Sequence, residues 1–169
     1  MNWDAVAALA ELAGAAAVVA SIGYLAVQVR QNSRFSKAAS QQVFISQSAG
    51  RLRALVDKQE NLRIARSAIV SFRDLTPDDQ AVAHALFNEW ITHFEQAYYL
   101  HHAGLLPGAV FGTSRAIALS LLVSPGGSQY WETSKALVGP EVRQYLDAQL
   151  AARVDLPPLT DSLPWLRPG

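Results

Sequence analysis

The sequence predicts an all-α protein: a long N-terminal transmembrane helix continuing into a cytoplasmic bundle of about five further helices. Three observations carry this. Residues 5–29, AVAALAELAGAAAVVASIGYLAVQV, contain no Pro, Lys, Arg, Asp or Asn. Beyond them, apolar side chains recur at three- and four-residue spacing, with no strand-like alternation. Pro and Gly fall at the joints between these periodic runs, where helices start and stop.

The apolar stretch comes first. At about 1.5 Å of rise per residue a helix of this length reaches past the roughly 30 Å apolar slab of a bilayer. Only a helix pairs its own backbone there. The preceding Met1-Asn2-Trp3-Asp4 carries no Lys or Arg, whereas Arg30, Arg34 and Lys37 follow the stretch. The positive-inside tendency then puts the N-terminus outside and the body in the cytoplasm. Trp3 and Tyr24 fall near the two ends, where amphipathic rings favour the interface. A cleaved signal peptide is the competing reading; it would carry a basic n-region, missing here, and a shorter apolar core.

Steps of three and four along this helix give Ala7, Ala10, Gly14, Ala17 and Ser21, small residues that let helix backbones approach closely in lipid. The register continues through Phe35, Ala38, Gln42, Ile45, Ala49, Leu52 and Val56. Such a seam serves self-association or docking on a partner's membrane helix, or its soluble half packs on its own domain. Glu11 is the one carboxylate in the span. An acid at this depth costs up to a few kcal/mol unless it reaches headgroups, water or a partner. Its bland reading is headgroup contact, and its sharp one proton or ion handling.

Half of the 169 residues are hydrophobic, which excludes general disorder, and there is no Cys to build a disulfide, a thiolate zinc site or a cysteine nucleophile. Net charge is zero but unevenly spread. Residues 30–73 carry nine basic side chains against Asp57 and Glu60, whereas residues 74–169 carry five basic against ten acidic. The basic half lacks aromatic interleaving and dense clusters, so it suits anionic headgroups rather than nucleic acid.

The helix is expected to continue over 31–58, with a kink at Gln31-Asn32-Ser33 or a bend at Gly50, and a second helix to cover about 60–73. Thr76-Pro77-Asp78-Asp79 reads as a cap, a first-turn proline and two acids at a positive helix end, opening a helix that runs to about His102 and stops at Gly104. Leu106-Pro107-Gly108 opens a helix over 108–123, whose stretch AIALSLLV is apolar on every side but bracketed by Arg115 and Pro125, too short to span and hence buried. Ser124-Pro125 and Gly139-Pro140 open helices near 125–137 and 140–153. From residue 154 the Pro-rich tail reads as extended, lying along the domain through Leu156, Leu159 and Trp165. The domains expected are an anchor over 1–30, a helical domain over 31–153 and a tail over 154–169.

No catalytic motif emerges. His84, His93, His101 and His102 share one helix. Glu89 and His93 lie one turn apart, yet the four His cannot converge from a single helix, and no HExxH pattern adds a ligand. His101 is expected to be a core or capping residue and the other three to be at the surface. Phe87, Trp90, Phe94 and Tyr98 either fill the bundle interior or line an apolar ligand pocket. No metal or other cofactor is expected.

The stretches WDAVAALAELAGAAAVVASIGYLAVQVRQNSR, FEQAYYLHHAGLL and SPGGSQYWETSKALVGPEVRQYLD resemble a large bacterial family of small proteins with an N-terminal transmembrane helix and an α-helical cytoplasmic domain. The resemblance implies an inner-membrane location and brings no activity, cofactor or catalytic residue. The segment DKQENLRIARSAI departs from the acidic-Pro-Glu turn of that family, so the junction of the first two soluble helices does not follow from it. Together these readings give a non-enzymatic single-pass membrane protein. Its partners are the bilayer and either itself or another membrane protein, in a homo-oligomer or as an accessory subunit; a membrane-tethered ligand sensor is the alternative.

Overall fold

The computed structural model describes residues 3–152 and 159–167. Their regular structure is all helical, with no strand among them: α1 Trp3–Val56, α2 Gln59–Val70, α3 Pro77–His102, α4 Gly108–Leu122, α5 Pro125–Ser134, α6 Pro140–Ala151 and α7 Leu159–Ser162. Single 3-10 turns at Lys135–Leu137 and Pro164–Leu166 follow α5 and α7. The chain divides into two compact units, residues 1–39 and 40–169.

The first unit is the N-terminal part of α1. Its described side chains all face solvent, from Trp3 and Leu9 to Val19 and Val29. Polar groups in it turn back on the helix: Ser21 Oγ donates to the Ala17 carbonyl at 2.8 Å and Gln28 Nε2 to Tyr24 Oη at 3.1 Å. The helical assignment of α1 runs without a break through Gln31-Asn32-Ser33 and through Gly50. A glycine in a helix lowers stability by up to about 1 kcal/mol without forcing a break.

In the second unit α3 and α4 form the centre. The inward face of α3 is Ala83, Phe87, Ile91, Phe94 and Ala97, and α4 buries Ala118, Leu119, Leu121 and Leu122. α2 adds Ile64, Ala65, Ala68 and Ile69; α5 adds Tyr130 and Trp131; α6 adds Val142 and Leu146. All of these but Ala97 belong to one apolar cluster; Ala97 belongs to a second, smaller one with Phe44 and Leu106.

The starts of α3, α5 and α6 lie where the prolines put them. Thr76 Oγ1 accepts from the Asp79 N–H at 3.2 Å, and Ser124 Oγ from the Gly127 N–H at 3.0 Å. Gly139 has no side chain to cap α6, so Glu95 Oε1 of α3 accepts its N–H at 2.9 Å, placing a carboxylate at the positive end of that helix. Gly104 has φ of 69°, the left-handed turn that ends α3.

Several boundaries differ from the expectation. α2 ends at Val70 rather than 73 because Ser71 is extended; Gln129 Oε1 of α5 accepts the N–H groups of Phe72 and Arg73 at 2.8 and 2.9 Å in place of helical carbonyls. α5 ends at Ser134 and tightens into the 3-10 turn, and α6 stops at Ala151. Over residues 159–167 the tail is not extended. It forms α7 and a 3-10 turn that bury Leu159 and Leu166, and Arg66 donates twice to the Trp165 carbonyl, at 2.9 and 2.6 Å. Leu156 lies outside the described residues.

The inward face of α1 also differs. Ile45, Leu52 and Val56 of the expected stripe are exposed, as are Phe35, Ala38, Gln42 and Ala49. Phe44 and Leu55 are buried instead, with Ser48 and Arg51 half-buried between them. This face carries two polar side chains that find partners on α3, so a count of apolar residues alone passes it over.

Two glycines give a paired test. A Cβ on Gly126 would lie 1.6 Å from the Ala68 carbonyl oxygen, whereas one on Gly112 would meet nothing within 4 Å. Gly126 is therefore where the start of α5 comes against the backbone of α2. Gly126→Ala is expected to destabilise the domain by about 2 kcal/mol or more. Gly112→Ala, in the interior of α4, is expected to raise stability by roughly 0.5–1 kcal/mol. Thermal or denaturant unfolding of the two variants checks both signs.

Candidate functional site

The inward face of α1 meets α3 at His93. Phe44, Ser48, Arg51 and Leu55 follow one another at four- and three-residue steps, which puts them on one side of the helix. The His93 ring stacks on Phe44, with centroids 4.0 Å apart and planes 14° apart. One ring edge meets Ser48 Oγ at 2.9 Å and the other receives the Arg51 guanidinium at Nδ1.

These contacts fix the tautomer. Arg51 has only N–H donors, so Nδ1 must accept and the ring proton sits on Nε2. Nε2–H then donates to Ser48 Oγ, whose own proton goes to the Phe44 carbonyl at 2.9 Å. The sequence Arg51, His93, Ser48, Phe44 carbonyl is thus a directed chain of hydrogen bonds, with Ser48 Oγ accepting from one neighbour and donating to the next. Burial, with the neighbouring Arg51 charge adding to it, pushes the His93 pKa down to about 4, so the imidazole is neutral at physiological pH. Burial also lowers the Arg51 pKa, a shift that Glu89 partly offsets. Arginine nevertheless stays charged.

Beside this chain lies a cavity of about 360 Å³, walled chiefly by Phe44, Ile45, Leu52, Trp90, Ile117 and Leu163. Its size is at the lower end of the roughly 300–1,000 Å³ typical of small-molecule sites. A larger open groove, about 1,000 Å³, runs along α2 and the turn before α3. There Arg63 is already paired with Glu60 and Asp79, at 2.6 and 3.0 Å, so its charge is satisfied within the protein. The apolar cavity therefore offers the stronger binding chemistry.

The residues expected to carry function sit as follows. Ala7, Gly14, Ala17 and Ser21 are exposed on α1, and the side chain of Ala10 lies outside the described residues. Glu11, Trp3, Tyr24, Arg30, Arg34 and Lys37 are exposed on the same helix. Of the four aromatics on α3, Phe87 and Phe94 are fully buried, Tyr98 is half-buried, and Trp90 alone lines the 360 Å³ cavity. Phe94 and Tyr98 pack with Phe111 and Tyr145 at ring separations of 5.3–6.5 Å, a filled aromatic cluster.

The histidines divide by role. His101 Nδ1 donates to the Leu106 carbonyl in the loop after α3, 3.0 Å away, and its half-buried ring stacks on Phe111 at 4.5 Å. His102 is exposed and bonds the Tyr98 carbonyl at 2.8 Å. His84 and His93 are half-buried rather than at the surface. His84 meets the buried Tyr130 edge-on, and His93 has both ring nitrogens committed to α1. Among the described residues no group of three His, Asp or Glu side chains converges.

Sequence reasoning passed over Ser48 and Arg51. The available signal was their spacing, three apart and in phase with Phe44 and Leu55, which marks a helix face with a polar centre.

The chain matches no family model, no curated protein and no solved structure.

The depressed His93 pKa sets a pH dependence. Between its ordinary value of 6.5 and about 4, the unfolded chain takes up a proton that the folded protein refuses. Folding stability therefore falls as pH drops through that window, and the loss is complete below about 4. The loss is at most about 3 kcal/mol, less whatever solvent screens at this half-buried site. Denaturant midpoints followed from pH 7 to 4 are expected to fall more steeply for the wild type than for His93→Gln. Parallel curves would mean that His93 titrates normally.

Proposed function

We propose that the protein is a non-enzymatic, single-pass membrane protein of the bacterial inner membrane. Its N-terminus is outside, and its helical domain works in the cytoplasm by assembly, with itself or as an accessory subunit of a membrane complex. The observation that carries this reading is the bare apolar surface of α1. The helix holds a segment long and apolar enough to cross a bilayer, none of it covered by the rest of the described structure. Leu9, Leu12, Val19 and Ile22 are each more than 60% exposed, an arrangement that water penalises and lipid does not.

The other apolar helix has its own cover. α4 is 15 residues long, below a membrane span, and buries Ala118 to Leu122 in the domain core. Arg30, Arg34 and Lys37 lie exposed beyond the apolar segment, suited to anionic headgroups on the cytoplasmic side.

Assembly is supported by what α1 leaves free. Ala7, Gly14, Ala17 and Ser21 present a small-sided face, and among the described residues no other part of the protein lies within 4 Å of a Cβ built on Gly14. Farther along, Phe35, Ile45 and Val56 are exposed. A second reading, a membrane-tethered ligand sensor, is favoured by the cavity beside His93.

The full-length chain is expected to pellet with membranes, to resist an alkaline carbonate wash and to be released by detergent. Cross-linking in mild detergent is expected to trap a dimer, a higher oligomer or a stoichiometric partner. Gly14→Ile, which the isolated helix accommodates, should weaken that association roughly tenfold. A chain that stays in the supernatant contradicts the anchor, and a strict monomer with no co-purifying protein contradicts assembly.

A further inference from the structure

The cavity between the C-terminal part of α1, α3 and α4 has a distinctive charge balance. Arg51 is the one charged side chain among its described lining residues. One of its N–H groups goes to His93 Nδ1, and among the described residues its remaining donors meet no acceptor and its charge no carboxylate within ion-pair distance. Glu89 acts on it only from beyond that distance. A half-buried guanidinium with spare donors in an apolar setting is costly unless something anionic completes it.

The other polar groups are already used. Ser48 donates to the Phe44 carbonyl, and Thr113 and Ser114 donate to the carbonyls of Ala109 and Val110 within α4. His93 adds no charge at neutral pH and holds Arg51 in place through Nδ1. Thus one cation, with a planar fork of donors, faces apolar walls.

We propose that this cavity binds a monovalent anion with an apolar body, a small alkyl or aryl carboxylate, with its carboxylate on Arg51 and its body against Phe44, Trp90 and Ile117. One guanidinium balances one carboxylate and matches its two oxygens. A phosphate monoester, with about two charges at neutral pH, would leave charge uncompensated in the same surroundings. The cavity volume of about 360 Å³ suits a small ligand of this kind rather than a long acyl chain. His93 is a positioning residue here, fixing the guanidinium rather than meeting the ligand's charge. The site is independent of the assembly proposed above.

Equilibrium dialysis of labelled octanoate tests it, using the full-length chain in lipid nanodiscs with empty nanodiscs as the blank. Saturable binding near one per chain is expected, with octan-1-ol roughly tenfold or more weaker. Arg51→Gln should lower octanoate affinity by a similar factor and leave octan-1-ol unchanged. Thr113→Trp, a large side chain at an exposed position on the cavity rim, should abolish uptake of both while leaving the unfolding transition in place. Equal affinity for the acid and the alcohol, an unaltered affinity in a folded Arg51→Gln protein, or no saturable uptake above the blank would each overturn the proposal. A chain that proves soluble allows the same dialysis in plain buffer, so failure of the anchor and failure of the site are told apart.

Discussion

Apolar surface exposed to water has to be covered, and in this protein the demand falls on the first half of α1. From Val6 to Val29 its Val, Leu and Ile side chains lie bare on every side of the helix, not along one stripe. A stripe would point to one partner helix; a surface apolar all round points to a surrounding apolar medium. We take that medium to be a bilayer, with the small-residue face of Ala7, Gly14, Ala17 and Ser21 as the place where a second helix can approach within it.

The other end of the same helix solves the opposite problem. Beyond residue 40 α1 becomes part of the domain, held there by Phe44 and Leu55 and by the hydrogen-bonded run from Arg51 through His93 to Ser48. A polar run of this kind favours one register, because sliding the helix by a residue would strand a guanidinium and an imidazole without partners. Apolar packing alone tolerates such slips more readily. The same arrangement leaves Arg51 with donors to spare beside an apolar cavity, so what aligns α1 also prepares a place for a small anion.

The parts legible in the sequence were those with a strong local cause. The long apolar N-terminal helix is legible because residues 5–29 lack charge at 24 of 25 positions, Glu11 excepted. The starts of α3, α5 and α6 are legible because proline preceded by Thr, Ser or Gly defines a helix beginning on its own. The parts that were not legible depend on distant partners. Ser71 ends α2 early because Gln129 supplies the acceptor for the next two N–H groups. Residues 159–166 turn helical rather than extended, burying Leu166 as well as the expected Leu159, because the segment packs back on α2 through Arg66, which a Pro-rich composition does not announce. Arg51 and His93 are 42 residues apart, and neither gives any sign in its own neighbourhood of the other.

Because the chain has no cysteine, single-cysteine labelling reads the environment of α1 directly. With Cys placed in turn at Val19 and at Gln47, both exposed helical positions, a membrane-impermeant maleimide is added to open membrane sheets before and after detergent. The account predicts that position 47 labels at once and position 19 only when detergent admits water to the segment. Equal labelling of both positions without detergent would contradict it.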